Sequence, residues 1–433
     1  MKKRFIPFVC VLLLGLAALF IAGCKPKEQA AGPVDPNAPV QLLVWCWDPN
    51  FNVFAMREAE KVYKKDHPNV SLDVQDITAI EEKLITALSA NETSALPDII
   101  LQQDNSIQKF VTNFPKAYLP VNGKVDLSKF AQFKLDVGNV NGQNYGVPFD
   151  NGATAYFLRS DFIEQAGLKV SDFNDITWAD FVRLGKTVKA KTGKALLSYV
   201  AGGGDIIQLQ LQGSGSWPFD AQGKPYIKTN PVVKEIINTY KELITSGVLL
   251  EVPDWNSYIA GLNNGTVVGT IQGCWIIGSI TPATDQAGKW SMVNTPRFGN
   301  IQGASNYSSQ GGSGWMVMAH TKKADVAFDF LDKTFAGSVE FYETILPSAG
   351  AISTWLPAAD SPIYSQPQSF FGGQKIYEEL MDFASKVPRV KYGVYNYEGR
   401  DAIGHALQAV LAGTNIDDAI SAAQQEVEFL MNQ

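Results

Sequence analysis

The sequence predicts an α/β protein of two lobes, each a mixed sheet flanked by helices. Three observations predict it. The chain has 433 residues, 45% of them hydrophobic, which is more than one ordinary core organises and fits roughly two or three domains. The opening of the body repeats a strand, loop, helix order, the pattern of a sheet with crossover helices. A turn-rich extended stretch near Asp150 then reads as a connection running from one lobe toward the other.

Taken in order, the apolar run QLLVW (41–45) reads as a buried strand. Asn52 then stands as the N-cap of a helix that carries Val53, Met56, Ala59 and Val62 on one face. VSLDV (70–74) is a second strand, AIEEKLITAL (79–88) a helix, and PDIILQQ (97–103) a further buried strand ahead of another helix. Ligands in such sheets sit beyond the carboxyl ends of the strands, where Trp45 to Asp48 and Gln102 to Asp104 fall. The stretch 141–162 contains Asn-Gly and Tyr-Gly turn signals between apolar flanks and reads as two extended segments. Helices are expected over 178–189 and 231–246, the second with Asn230 as cap and Pro231 at its first position. Residues 267–280 supply a strand and a helix start, 314–319 a strand and 323–335 a helix. The chain closes with helices over 400–412 and 416–430, where Ile416, Ala419, Ile420, Ala423, Val427 and Leu430 share one face.

The N-terminus gives the address. Lys2, Lys3 and Arg4 precede an apolar run from Phe5 to Ala22, and Ile21-Ala22-Gly23-Cys24 follows. This predicts a signal peptide over 1–23 with a lipobox, and a diacylated Cys24 as the mature N-terminus. Residues 24–39 hold four prolines and no apolar period, so they read as a tether, and the membrane is reached only through the lipid. Loss of 1–23 removes three basic residues and no acidic one, which makes the body more acidic than the net −7 of the whole chain and excludes nucleic acid as a partner. Only Cys46 and Cys274 then remain in the body, so no disulfide framework is expected.

Enzyme signatures are missing. His67, His320 and His405 are far apart in sequence and in no metal-ligand spacing, no serine sits in Gly-x-Ser-x-Gly, and Gly185-Lys186-Thr187 lacks the glycine six residues before its lysine, where Asp180 stands. Asp48, Asp104 and Asp150 all fall at loop positions facing the inferred crevice, so a carboxylate-dependent glycoside hydrolase is one alternative.

In this order the pieces resemble the maltose-binding-protein-like family (family 1) of extracellular solute-binding proteins, the sugar-capturing lipoproteins of carbohydrate ABC importers. The resemblance covers 40–433. It rests on KKDHPNVSLDV (64–74), PDIILQQD (97–104), YGVPFDNGATAYFLRSDFI (145–163), GTIQGCWIIGSI (269–280), GGSGWMVMAHTKKADVAFDFL (311–331) and AIGHALQAVLAGTNIDDAISAA (402–423). It implies the two-lobe periplasmic-binding-protein fold of type II, with lobe 1 over 40–149 and 308–354, lobe 2 over 150–307 and 355–433, and a hinge of crossover segments. It also implies a monomer that closes on a sugar and presents both lobes to a permease, with no catalysis, cofactor or metal. A binder of a polyamine or glycerol phosphate is the second alternative.

Residue by residue, the resemblance implies that Asp48 and Asp104 accept hydrogen bonds from sugar hydroxyls, that Asp150 is an acidic position at the first crossover, and that Trp275 stacks on a pyranose ring. Trp47 and Trp217 are carried as cleft neighbours. Arg400 stands where relatives tend to have an aromatic, and Gly312 is a loop glycine with a backbone amide to offer. Structural readings stand beside these: Trp275 as a core residue, Asp48 as part of an Asp-Pro-Asn turn, Asp104 as a helix cap. A sugar site needs flat aromatics for ring faces and ionised acceptors for hydroxyls, and these residues supply both.

Overall fold

The computed structural model describes residues 38–77 and 79–432, so the expected signal peptide, Cys24 and most of the tether lie outside the described residues. The first sheet begins with Val40–Cys46, where Leu42, Val44 and Cys46 are buried in alternation. It pairs in parallel with Val70–Asp76 on one side and with Ile99–Gln103 on the other. Ile99 to Gln102 are buried without alternation, as befits a strand covered on both faces. Ser313–Val317 joins antiparallel to Ile99–Gln103, and Val147–Asp150 completes the sheet antiparallel to it. Phe149, Trp315 and Phe335 meet at centroid distances of 5.3 to 5.8 Å against this sheet. Full burial of a phenylalanine side chain contributes about 1.5–3 kcal/mol before its entropy loss is counted.

A second sheet is centred on Thr154–Arg159, antiparallel to Gly269–Gly273 and to Trp290–Val293. A parallel pair, Leu197–Val200 with Leu249–Val252, is joined to it by a bridge between Ala195 and Val267. The chain leaves the first sheet after Asp150, starts the second at Thr154, and returns to the first between Val293 and Ser313. Both sheets belong to one compact unit that begins at Pro39.

Local sequence explains most element ends. Asn141 and Gly142 take φ of 53° and 83°, the left-handed pair that a two-residue hairpin needs, and the turn joins Asn139–Val140 to Gln143–Asn144. The stretch read as two extended segments is therefore this short hairpin followed by Val147–Asp150 and Thr154–Arg159. Asn230 caps Pro231–Thr245 by accepting from Val232 N at 3.0 Å. One expected cap is not formed. The chain already coils at Pro49–Val53 in a π-turn, so the helix Phe54–Tyr63 follows a residue in helical conformation, and Asn52 is buried with its Oδ1 unpaired instead of capping.

Candidate functional site

Four strand ends converge because Ser313–Val317 runs antiparallel to Ile99–Gln103: the carboxyl ends of Val40–Cys46, Ile99–Gln103 and Val147–Asp150 meet the amino end of Ser313–Val317. A cavity of about 560 Å³ opens there, bordered on its far side by residues that follow the second sheet's Gly269–Gly273. Its volume suits a small solute, within the usual range for ligand pockets.

One wall is aromatic. Trp275 follows the turn at Gly273-Cys274 and directs its Nε1 to Gln310 O at 3.1 Å. Trp255 opens the helix Trp255–Asn263, whose N-cap Asp254 accepts from Ser257 N at 2.7 Å. The two indoles lie 5.7 Å apart at 43°, and Trp255 leans on Tyr258 at 4.9 Å. Trp255 is 42% exposed, a large apolar side chain left uncovered at the cavity. Trp47 and Phe51 border the opposite side, Phe51 resting on Phe149 at 5.6 Å.

The polar lining joins three carboxylates, Asp48, Asp150 and Asp205, to amides and hydroxyls. Asp205, in the first turn of Gly204–Gly213, takes Gln272 Nε2 on one oxygen and Gln310 Nε2 on the other, each at 2.9 Å. Both amides are thereby oriented, and Gln310 Oε1 is left buried without a partner. Tyr397 reaches from Asn396–Leu411 to the first sheet's end, where its hydroxyl donates to Asn105 Oδ1 at 2.8 Å and also contacts Gln103. Arg400, one turn further, lies over the Tyr397 ring at 4.9 Å and gives Nε and Nη2 to Asp401 Oδ1 at 2.9 and 2.7 Å.

Beneath the floor is a buried charged group. Lys134 Nζ contacts Asp104 with both side chains almost fully covered, and Ser313 Oγ donates to Asp150. Burial pushes the Asp104 carboxyl up to about 6 against the pull of Lys134, with the Asp150 charge pushing in the same direction as burial. Asp150 is raised too, by burial, which Lys134 and Ser313 counter. Gly312 has φ of +93° and lies so close that a Cβ there would overlap the Asp104 carboxylate and come within 2.7 Å of Lys134 Nζ. Only glycine fits that passage.

The profile of the bacterial extracellular solute-binding proteins matches residues 58–370. The chain is also 36% identical over 388 residues to a lactose-binding protein of Rhizobium radiobacter, covering 89% of this chain and 92% of that one. The chain belongs to the bacterial extracellular solute-binding proteins. Among solved structures it is similar to the GacH receptor of Streptomyces glaucescens, studied unliganded and with acarbose, with a TM-score of 0.75, 18% identity and coverage of 91% of this chain and 99% of that one. It is equally similar to the galacto-N-biose/lacto-N-biose I-binding protein of the Bifidobacterium longum ABC transporter, with a TM-score of 0.75, 21% identity and coverage of 91% and 98%. The fold is the two-lobe type II architecture of these solute-binding proteins.

Six of the eight residues read from the sequence as ligand contacts line the cavity of this solute-binding protein: Trp47, Asp48, Asp150, Trp275, Gly312 and Arg400. Asp104 does not; it lies behind Gly312 as the partner of Lys134, in the first turn of Asp104–Asn113 whose N-cap is Gln103. Trp217 is not a cleft residue. Its ring is 4% exposed, packs on Tyr392 at 4.8 Å and donates Nε1 to Asn396 Oδ1 at 2.8 Å, because Asn230 Nδ2 holds Trp217 O at 3.0 Å and turns the ring into the core. The sequence reading missed Trp255, Asp205, Gln310, Tyr397 and Asn52. Of these, Trp255 carried a signal, a tryptophan directly after the Pro-Asp cap pair that ends a strand.

Proposed function

We propose that this solute-binding protein captures a sugar or short oligosaccharide in the cavity and delivers it to the permease of an ABC transporter, without chemical change to the sugar. The observation that carries the reading is the pairing of an aromatic shelf, Trp255 and Trp275, with the carboxylates of Asp48, Asp150 and Asp205 around one cavity. Pyranose faces stack on the first, and ring hydroxyls donate to the second, with charged hydrogen bonds of about 1.5–3 kcal/mol each. The relatives named as lactose-binding and as lacto-N-biose I-binding support the same class of ligand.

Lobe closure follows from linkage, since a ligand touching both sides stabilises only the state in which both sides reach it. The protein acts as a monomer outside the cytoplasmic membrane, held by a diacylated Cys24 at the end of a tether. Replacement Cys24→Ser should release or mis-sort it, and unchanged membrane association in cells refutes the anchor.

A thermal-shift screen over neutral mono- and oligosaccharides tests the binding reading. Ligand at a hundredfold its Kd adds about 2.7 kcal/mol to the folded state, enough to raise the Tm by several degrees. The absence of any shift across the panel refutes it.

A further inference from the structure

We infer that the cavity selects sugars by charge, taking neutral or amino-bearing ones and rejecting those with a carboxylate, sulfate or phosphate. The inference rests on the sugar-binding reading and adds the electrostatic class of the ligand, with Asp205 as a determinant of that selectivity.

The first ground is the balance of charge. Asp48, Asp150 and Asp205 line the cavity, and Arg400 is the one basic side chain among its described lining residues. That cation is already engaged, with two of its nitrogens on Asp401 and its guanidinium over the Tyr397 ring. Two further cations are paired: Lys134 with Asp104 below the floor, and Lys109 with Glu398 at 2.6 Å. Among the described lining residues an incoming anion would meet three carboxylates and one guanidinium that is shared with Asp401. Asp48 and Asp205 alone outnumber Arg400. In a cleft with low-dielectric walls such an excess of one sign is felt across the whole cavity.

The second ground is hydrogen-bond sense. Asp48, Asp150 and Asp205 line the cavity, and a carboxylate is an acceptor only; Asp205 already takes Gln310 Nε2 on one oxygen. Such acceptors gain from a ligand donor and lose against another acceptor. Hydroxyl and ammonium groups supply donors. Carboxylate and phosphate oxygens do not.

The third ground is the approach. A groove adjoining the cavity shares Trp47, Asp48, Gln103 and Tyr397 with it and adds Asp76, Glu81 and Glu82, with no basic residue among its described lining. A ligand long enough to extend past Tyr397 continues along carboxylates. Rejection of wrong solutes by like charge is a standard route to specificity where attractive contacts are similar.

The test uses matched rings that differ in one charged substituent: galactose, galactosamine, galacturonate and galactose 6-phosphate, and the same glucose series, titrated by calorimetry at low and at 0.5 M NaCl. Spermidine and glycerol 3-phosphate are run beside them. The expected result is that each anionic form binds at least about tenfold more weakly than its neutral parent at low salt, and that the gap narrows at high salt and in Asp205→Asn. A uronate or phosphate form binding as tightly as its parent overturns the inference. So does a gap that neither salt nor Asp205→Asn moves, since that marks a steric origin. Binding of spermidine with silence from every sugar removes the sugar reading but keeps the charge preference. Binding of glycerol 3-phosphate alone removes both.

Discussion

Truncation of Trp275 to alanine separates the aromatic-shelf account from a merely structural one. The indole has one side toward Trp255 and borders the cavity, so about half of a tryptophan's 150–250 Å², on the order of 100 Å², is available to a ligand. At about 25 cal/mol per Å² this is about 2.5 kcal/mol, or roughly a 70-fold rise in Kd. The variant also frees Gln310 O from its indole donor, which weakens the placement of Gln310 against Asp205 and acts in the same direction. Calorimetry with the sugar of largest thermal shift reads the change, and urea unfolding without ligand checks that the fold persists. The contrast is Trp217→Phe. Loss of the Nε1 bond to Asn396 should cost roughly 1–3 kcal/mol of stability, because it leaves a buried acceptor, while Kd stays within twofold. If Trp275→Ala binds within twofold of the parent, or Trp217→Phe weakens binding as much, the site is elsewhere.

The floor and the thiols give further tests. Gly312→Ala forces a Cβ onto Asp104 and Lys134 at a left-handed φ and should lower stability by about 2–4 kcal/mol in urea unfolding; a change under 0.5 kcal/mol contradicts the described packing. Asp104 is raised by burial to about 6, so the native state holds its proton where the unfolded chain has released it. That extra stability is present near pH 4 and is lost as pH rises to about 6, by up to roughly 3 kcal/mol. The stability of the parent minus that of Asp104→Asn should therefore fall over this window and level off above pH 7; a difference that rises there refutes the assignment. Cys46 and Cys274 are buried and unpaired, and burial pushes the Cys46 thiol up to about 12 and the Cys274 thiol higher still. Neither should be alkylated at pH 8 until the protein unfolds, and mass spectrometry showing a Cys46–Cys274 link or rapid native labelling contradicts this.

Strand ends were readable because period and punctuation act locally. Trp47, Asp48, Asp150 and Trp275 stand at or just past strand termini, and the sheet brings those termini together. Asp205 and Tyr397 reach the cavity from helices whose placement depends on packing between distant segments, which no local pattern encodes. Asp104 shows the limit of position alone. It sits at the right strand end, but Gly312 passes on the cavity side of it and Lys134, 30 residues away, claims its carboxylate. Trp217, carried as a cleft neighbour by the resemblance, is instead fixed in the core by Asn230 and Asn396. Asn52 was misread as a cap because a π-turn leaves no mark in a 3.6-residue period.

The central claim is capture without turnover in the cavity between the aromatic shelf and the carboxylates. Calorimetric titration of the purified protein with the sugar of largest thermal shift, followed by chromatography of the recovered sugar, tests it most directly. The account predicts saturable binding of one sugar per chain, a Kd raised roughly 70-fold by Trp275→Ala, and sugar recovered intact. Cleaved sugar, or saturable binding unaffected by Trp275→Ala, contradicts it.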